Sequence, residues 1–234
     1  MRQNPSFTLA SAGEIKRLVR ENPWGTIVSS TSNGLVASHY PFVLEETAAG
    51  SAEATAEGTA ETALASAAGG AAEIVLLSHL GRPDELLHEL GEHEVMVILQ
   101  GPHGYISPGW YQGGPAVPTW NFVTAHLYGV PEILSDEENY RVLAALTDHF
   151  EDRMPEPFRM ERDPENVAYA QRLYQGTVGI RLRVTRFVAK SKLSQNRSPE
   201  AVARILAELE TGAQYPNPTL AAEMRRFWTS DKLP

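Results

Sequence analysis

The stretch that decides the fold spans residues 26–44 and reads TIVSSTSNGLVASHYPFVL. Its two ends, residues 26–30 and 35–44, are rich in β-branched, aromatic and other apolar side chains, which predicts two β-strands. Between them lies Asn33-Gly34, a strong hairpin signal because both residues tolerate a positive φ. We therefore expect an antiparallel pair of neighbouring strands near the start of the chain.

The same patterns predict further elements along the rest of the chain. Strands are predicted at residues 74–78, 95–100, 119–130, 132–134 and, as one long half-buried strand, 177–189. Helices are predicted at residues 12–20, 84–90, 135–150, 164–174, 198–209 and 220–228, and a capping box of Ser135 and Glu138 is predicted to open the third. The Gly- and Pro-rich residues 101–118 are predicted to be mostly loop. Because the strands are mostly neighbours in sequence, we expect a mainly β α+β fold, an antiparallel barrel with peripheral helices, in a single domain of residues 1–234.

Residues 45–73 interrupt this pattern. Twelve of these 29 residues are Ala and six are Glu, and Leu64 is the only large apolar side chain. Such a segment buries too little surface to offset the entropy of ordering the chain. It is interpreted as a flexible insertion in a hairpin loop.

Charge and composition bear on partners and location. The net charge is −9, and leaving out the six Glu of residues 45–73 still leaves −3, which does not suggest a surface that neutralises the phosphates of a DNA duplex. The chain has no Cys, which excludes disulfides, thiolate nucleophiles and Cys-ligated metals. The first 20 residues do not resemble a signal peptide, and no stretch reaches the roughly 20 apolar residues that span a bilayer. We expect a soluble cytoplasmic protein without a membrane segment.

The sequence lacks the motifs of several common nucleotide-binding, metal-binding and hydrolase sites. It contains no GxGxxG, GxxxxGK[ST], HExxH or GxSxG motif, and its seven His residues lie far apart. No metal site is therefore expected.

Small polar clusters at strand ends are the candidates for binding. Ser38 and His39 must point to opposite faces of a strand, and a histidine satisfied inside the barrel is the alternative to a ligand contact. Ser78, His79 and Arg82 lie between a buried strand and a helix, which suits a terminal phosphate or simply a helix entry with a solvated Arg.

Three clusters further along the chain can also be interpreted as either binding sites or purely structural features. Gln100, at the end of a predicted strand, suits the edge of a heterocycle or caps the strand. The many aromatic side chains of residues 105–111 and 117–122 favour an interface or a ligand wall over core filling. Residues 190–197 combine three cations with a following helix start, as in an anion site or a solvated basic loop.

Five motifs, in order, resemble one family. They are GLVASHYPFVL at 34–44, SHLGR at 78–82, PHGYISPGWYQ at 102–112, VPTWNFVTAHLYG at 117–129 and KLSQNR at 192–197. The run closely resembles the PaiB-type FMN-binding negative transcriptional regulators. That resemblance implies an FMN-binding split β-barrel, similar to pyridoxamine phosphate oxidase-like flavoproteins, in which two subunits form a homodimer and hold FMN in two interface clefts.

The resemblance also implies roles for the clusters. Ser38 and His39 would face the flavin, and Gln100 would meet the ring edge. The phosphate would be held by Ser78, His79 and Arg82. The cleft would be walled and closed by Trp120, Asn121, Lys192, Gln195, Asn196 and Arg197.

Function stays open between two hypotheses, and a third is weaker. The chain is expected to be a flavin-binding regulator that acts indirectly, or a flavin-dependent oxidoreductase acting on a small molecule. Direct binding to DNA is not expected, because there is no helix-turn-helix pattern and the net charge is acidic.

Overall fold

The computed structural model describes residues 1–2, 4–45, 71, 73–111 and 115–228. Most of the predicted insertion at 45–73 lies outside the described residues. The strands are β1 Trp24–Thr31, β2 Gly34–Pro41, β3 Val43–Leu44, β4 Val75–Gly81, β5 Val95–Ile106, β6 Thr119–Gly129, β7 Pro131–Ile133, β8 Thr177–Arg183 and β9 Arg186–Lys192. The α-helices are α1 Ala12–Glu21, α2 Arg82–Leu87, α3 Asp136–Glu151, α4 Pro164–Leu173, α5 Pro199–Thr211 and α6 Pro218–Phe227.

The described strands form two sheets. A five-stranded sheet has the order β2-β1-β5-β6-β9, and a four-stranded sheet has the order β3-β4-β8-β7. The pairings of β1 with β2 and β5, and of β8 with β4 and β7, are antiparallel. The predicted mainly antiparallel α+β fold is confirmed.

The predicted hairpin is confirmed, but its turn differs in detail, and the predicted second strand, 35–44, is two strands in different sheets, β2 and β3. β1 and β2 pair from Trp24↔Pro41 to Thr31↔Gly34, so the loop residues are Ser32 and Asn33 rather than Asn33 and Gly34. Gly34 has a φ of 109°, and it is the only residue of this turn with a positive φ. The Thr31 hydroxyl closes the turn by donating to the Gly34 carbonyl at 2.9 Å. Gly is therefore required at one position, not two.

The prediction of one strand over residues 177–189 was wrong. This stretch forms two strands in different sheets, β8 in the four-stranded sheet and β9 in the five-stranded one. Between them, the Val184 amide donates to the Ile74 carbonyl at 3.0 Å, and the Thr185 amide donates to the Tyr128 carbonyl at 2.8 Å. The sequence carries the signal, because the buried apolar side chains are those of even-numbered residues from Val178 to Val184 and of the odd-numbered Phe187 and Ala189. A change of phase moves the buried side chains to the other face of a strand.

The predicted loop after residue 100 was also wrong at its start. β5 continues to Ile106, and a short 3-10 helix, Pro108–Tyr111, follows it. Gln100 therefore lies inside a strand rather than at its end. In the first half of β5 only alternate residues are fully buried, so one face of that part lies against the core and the other does not.

The chain divides into two compact units. The central unit comprises Ala10–Leu99 and His126–Phe187, and the terminal unit comprises Met1–Leu9, Gln100–Ala125 and the described residues from Val188 onward. The central unit contains the four-stranded sheet. One of its core clusters brings apolar residues of β3 and α3 together; its members are Val43, Leu134, Val142 and Leu146.

In the terminal unit α5 packs against α6 through buried aliphatic side chains of both helices. Each helix starts at Pro, and the preceding residue, Ser198 or Asn217, caps it through its side chain. In the central unit, the predicted capping box of Ser135 and Glu138 opens α3. Among the described residues, no helix is long and apolar enough to cross a membrane. The same residues contain no cluster of three or more His, Asp or Glu that could hold a metal ion.

Candidate functional site

The two faces of the β1–β2 hairpin in the central unit differ sharply. One face is buried, with Ile27 and Ser29 at 0% and 1% exposure. The other, which we call the outer hairpin face, is largely apolar, and Trp24 and Leu35 are 64% and 82% exposed. Its residues on β1, β2 and β5 are Trp24, Thr26, Val28, Ser30, Leu35, Ala37, His39, Pro41, Met96 and Ile98.

Ser38 and His39 point to opposite faces, as predicted. His39 lies exposed on the outer hairpin face, where its Nδ1 is 2.9 Å from the Thr26 hydroxyl. Ser38 turns inward, and its hydroxyl is 3.0 Å from Nε2 of His88. An exposed imidazole and an inward-facing hydroxyl are thus presented by consecutive residues.

His88 is a site residue that sequence reasoning missed. Its side chain is fully buried, with Nδ1 2.8 Å from the Ser29 hydroxyl. Burial, with a smaller contribution from His93, lowers the pKa of His88 against the opposing effect of Asp84, so the neutral imidazole is favoured. A neutral imidazole has one donor and one acceptor nitrogen, which matches one hydroxyl at each end. No local pattern links the three residues, since His88 is 50 residues from Ser38.

The end of β4 positions Ser78 and His79. Ser78 is fully buried, and its hydroxyl donates to the Pro41 carbonyl at 2.7 Å. His79 is half-buried and meets the Tyr40 ring edge-on, with 6.3 Å between ring centroids. Its Nδ1 is buried without a hydrogen-bond partner among the described residues, and burial lowers the pKa of the imidazole.

Tyr40 ties this strand end to the start of α2. Its hydroxyl donates to the Asp84 carboxylate at 2.8 Å and accepts from the Gly81 amide at 3.2 Å. Burial, followed by the interaction with Asp84, raises the pKa of Tyr40 against the effect of the Gly81 amide. The phenol therefore stays protonated and acts as a donor.

The guanidinium of Arg82 is already engaged by the protein. Its Nε donates to the Gln175 carbonyl at 2.7 Å, and one terminal nitrogen lies 3.2 Å from the Asp136 carboxylate. The other terminal nitrogen is 3.7 Å from Glu85. An anionic ligand at Arg82 must compete with these two carboxylates.

The terminal unit contains an aromatic cavity of about 410 Å³. His103 and Trp120 stack at its wall, with centroids 6.3 Å apart and planes at 25°. Tyr105 and Tyr215 form a second pair at 5.3 Å. The Asn217 side chain fixes the wall by donating to the His103 carbonyl at 2.9 Å. Trp120 is 54% exposed at this wall, and its role as part of a ligand wall stays a prediction.

Gln100 and Asn121, two other predicted binding residues of the terminal unit, differ in their exposure to solvent. Gln100 is exposed on β5. Asn121 is fully buried, and its Nδ2 donates to the Ser194 hydroxyl at 2.9 Å and to the Met224 sulfur at 3.4 Å. In the terminal unit as described, Asn121 thus joins β6 to the segment after β9 and to α6.

The KLSQNR segment begins at the end of β9. The Lys192 ammonium donates to the Thr119 hydroxyl. Gln195 braces the loop itself, accepting from the Leu193 amide at 2.7 Å and donating to the Ser191 carbonyl. The Arg197 guanidinium lies 4.0 Å from the centroid of the Tyr111 ring, while Asn196 is exposed.

A second cavity of the terminal unit, of about 580 Å³, is basic. Sequence reasoning proposed an anion site at residues 190–197 but missed the residues that the chain start and β6 contribute to this pocket. We call it the basic pocket. It is lined by Arg2, Asn4, Pro5, Phe7, Phe122, Lys190 and Lys192.

Known proteins resemble this chain in sequence and fold. The Bacillus subtilis "Protease synthase and sporulation protein PAI 2" is 26% identical over 220 residues, which cover 93% of each chain. The FAD and heme binding protein of Mycobacterium smegmatis has a similar fold, with a TM-score of 0.51 at 16% identity over 79% of this chain and 73% of that one. The flavocytochrome Anf3 of Azotobacter vinelandii gives a TM-score of 0.53 at 12% identity over 82% of this chain and 72% of that one.

The family follows from a match that covers most of the chain. Residues 1–186 match the family model described as "Putative FMN-binding domain". Together with the similarity to the Bacillus protein, this match confirms the predicted resemblance to PaiB-type proteins and the predicted cofactor, FMN. The chain therefore belongs to this family of FMN-binding domains.

Proposed function

We propose that the protein is a homodimer that holds FMN at the subunit interface and influences gene expression indirectly. Membership of the FMN-binding family supports the cofactor. The observation that carries the dimer is the exposed, apolar outer hairpin face.

The chemistry of the described residues fits FMN. FMN combines a flat, largely apolar ring system with a dianionic phosphate, and its ring accepts and releases electrons when bound. The terminal unit offers aromatic surface at Trp120 and cations at Lys190 and Lys192. In the central unit, the unpartnered Nδ1 of His79 is a polar atom that a ligand can satisfy. The residues proposed to contact FMN are Ser38, His39, Ser78, His79, Arg82, Gln100, Trp120, Asn121, Lys192, Gln195, Asn196 and Arg197.

A second copy of the chain is the proposed cover of the outer hairpin face. Contiguous exposed apolar surface of this kind marks an association site. Trp24 and Leu35 provide large, well-exposed side chains, whereas His39 is a polar residue on the same face. Covering this face would place His39 at the interface, where the cofactor is proposed to lie.

A charge on the outer hairpin face tests the dimer and the cofactor site together. Leu35→Glu should give a monomer by light scattering and should weaken FMN binding at least tenfold, because one wall of the cleft is lost. Leu86→Glu is the matched control, since Leu86 on α2 is 79% exposed against 82% for Leu35. A Leu35→Glu protein that remains dimeric would place the interface elsewhere. A wild-type protein whose absorbance and flavin fluorescence ignore added FMN would contradict the proposal as a whole.

Indirect regulation is supported by charge and by one relative. The similar Bacillus protein is named for protease synthesis and sporulation, which are regulated processes. A net charge of −9 disfavours close approach to DNA phosphates. Tight, salt-sensitive binding of the pure protein to a specific promoter would contradict indirect action.

A flavin-dependent oxidoreductase is the second candidate, and the aromatic cavity favours it. Four aromatic rings, counting His103, line a space large enough for a small planar molecule. The test is single-turnover oxidation of the chemically reduced holoprotein by a soluble quinone. We expect the rate of flavin oxidation to saturate as the quinone concentration rises. In Tyr215→Ala, the quinone concentration that gives half the maximal rate should be higher. Tyr169→Ala is the control, because Tyr169 on α4 is 53% exposed against 56% for Tyr215. A rate strictly linear in quinone, unchanged by Tyr215→Ala, would indicate that the cavity takes no substrate.

A further inference from the structure

The basic pocket is built by a turn at the start of the chain. Asn4 caps the 3-10 helix Pro5–Phe7, accepting from the Ser6 amide at 3.1 Å. The segment then joins β9, because Thr8 forms a β-bridge with Lys190 and the Leu9 amide donates to the Ala189 carbonyl at 3.1 Å. These bonds hold the start of the chain along the strand that carries the lysines.

Among the described residues that line the basic pocket there are three cations and no carboxylate. Lys190 and Lys192 are two residues apart on β9 and so share one face of the strand. With Arg2 they supply every charged side chain among the described residues that line the pocket. Like charges gathered in this way repel one another, and an anion between them relieves the repulsion.

Lys192 is the most constrained of these cations. It is half-buried, its Nζ donates to the Thr119 hydroxyl, and it lies 6.0 Å from the centroid of the Phe7 ring. Burial lowers the pKa of Lys192, and the positive charges of Lys190 and Arg197 lower it further. The charged form of this ammonium is thus destabilised in the protein, and a bound anion would stabilise it.

Aromatic surface lies beside these charges. Phe7 and Phe122 line the same pocket, so a ligand with both an anionic group and a flat ring matches it better than a simple anion. The volume of about 580 Å³ also lies within the range of small-molecule sites.

We infer that the basic pocket binds the phosphate group of a phosphorylated planar ligand, whose ring packs against Phe7 and Phe122. FMN is one ligand of this chemistry, and to that extent the inference rests on the proposed function; a nucleoside monophosphate is another. Arg82, the other predicted phosphate residue, is less suited because Asp136 and Glu85 already neutralise its guanidinium. Arg2 thereby becomes a binding residue that the sequence motifs did not indicate, and Lys190, part of the predicted anion loop at 190–197, joins it.

Titrations with FMN and riboflavin test the inference, because riboflavin lacks the phosphate. Binding is followed by flavin fluorescence in the full-length protein and in Arg2→Gln and Lys190→Gln. We expect each variant to weaken FMN by about tenfold or more, the effect of losing one charge-assisted hydrogen bond, and to leave riboflavin unchanged. Arg141→Gln is the matched control, since Arg141 is 68% exposed on α3 and pairs with Glu137. Arg2 lies exposed next to the chain start, so its replacement does not threaten the fold.

The ligand's identity is decided by direct calorimetric titrations with AMP and inorganic phosphate, which need no bound flavin. Loss of AMP binding in both variants, with FMN unaffected, would support the pocket and assign it to a nucleotide rather than the flavin. Equal FMN affinity in wild type and both variants, with AMP and phosphate also unaffected, would overturn the inference while leaving FMN binding intact. An FMN loss confined to Arg82→Ala would overturn it too, placing the phosphate at α2. If no flavin binds to wild type, the proposed function fails, and the AMP and phosphate titrations alone decide the inference.

Discussion

Replacing Ser29 with alanine tests how far the central unit depends on the buried imidazole of His88. Ser29 and His88 are 1% and 0% exposed, and the hydroxyl and Nδ1 are 2.8 Å apart. The substitution removes one partner and leaves the ring nitrogen buried and unpaired. Such an orphaned group costs about 1–3 kcal/mol, more than the net value of an ordinary hydrogen bond.

The hairpin provides its own control for this experiment. Thr26 and His39 form a similar hydroxyl–imidazole contact of 2.9 Å, but on the exposed face of the same two strands. Water can replace the hydroxyl there when the face is uncovered, so both variants are made in the monomeric Leu35→Glu background, where Thr26→Val should change the free energy of unfolding by no more than about 0.5 kcal/mol. The two variants differ mainly in whether solvent reaches the imidazole.

Urea denaturation of the two variants without flavin, at one protein concentration, gives the comparison. A loss of 1 kcal/mol corresponds to a fall of about 2–4 °C in Tm for a chain of this size, so thermal melts provide a second reading. An unfolding free energy for Ser29→Ala within about 0.3 kcal/mol of the Leu35→Glu parent, or equal to that of Thr26→Val, would refute the idea that burial sets the cost.

Three further predictions concern pH and two glycines. Burial lowers the pKa values of His79 and His88, so on acidification the unfolded chain binds these two protons at a higher pH than the folded chain does. The free energy of unfolding should therefore fall as the pH drops below about 6.5 towards the lowered pKa values. Equal stability in urea titrations at pH 7.5 and 5.5 would contradict this. Gly129→Ala places a Cβ 2.5 Å from a backbone oxygen and should cost about 1–3 kcal/mol in chemical denaturation, whereas Gly176→Ala, with open space around it, should cost far less. Gly34→Ala forces a φ of 109° on a residue with a side chain and should lower stability by about 1–3 kcal/mol; an unchanged Tm would show that the turn relaxes to another form.

The parts of the fold that the sequence predicted well depend on local chemistry. The hairpin of β1 and β2 and the capping box of Ser135 and Glu138 each arise from residues a few positions apart. The break between β8 and β9 was missed because strong β-forming side chains continue across it. There, hydrogen bonds from Val184 to Ile74 and from Thr185 to Tyr128 override local propensity.

In the candidate site, too, some features follow from the local sequence and others only from the fold. The opposite orientations of Ser38 and His39 follow from strand geometry alone. The partner of Ser38 does not, since His88 reaches it only through the fold. Arg2 and Phe7 join Lys190 because the chain start lies along β9, an arrangement that no short motif records.

The outer hairpin face has a consequence for how the protein behaves on the bench. If two copies cover it and the flavin lies between them, dissociation and cofactor loss are one linked equilibrium, and retention of the yellow colour depends on protein concentration by mass action. A dilute preparation would then lose its flavin even though affinity at the assembled site is high. Concentrating the same sample with added FMN should restore the absorbance, so a colourless eluate reports the dimer equilibrium as much as the cofactor site.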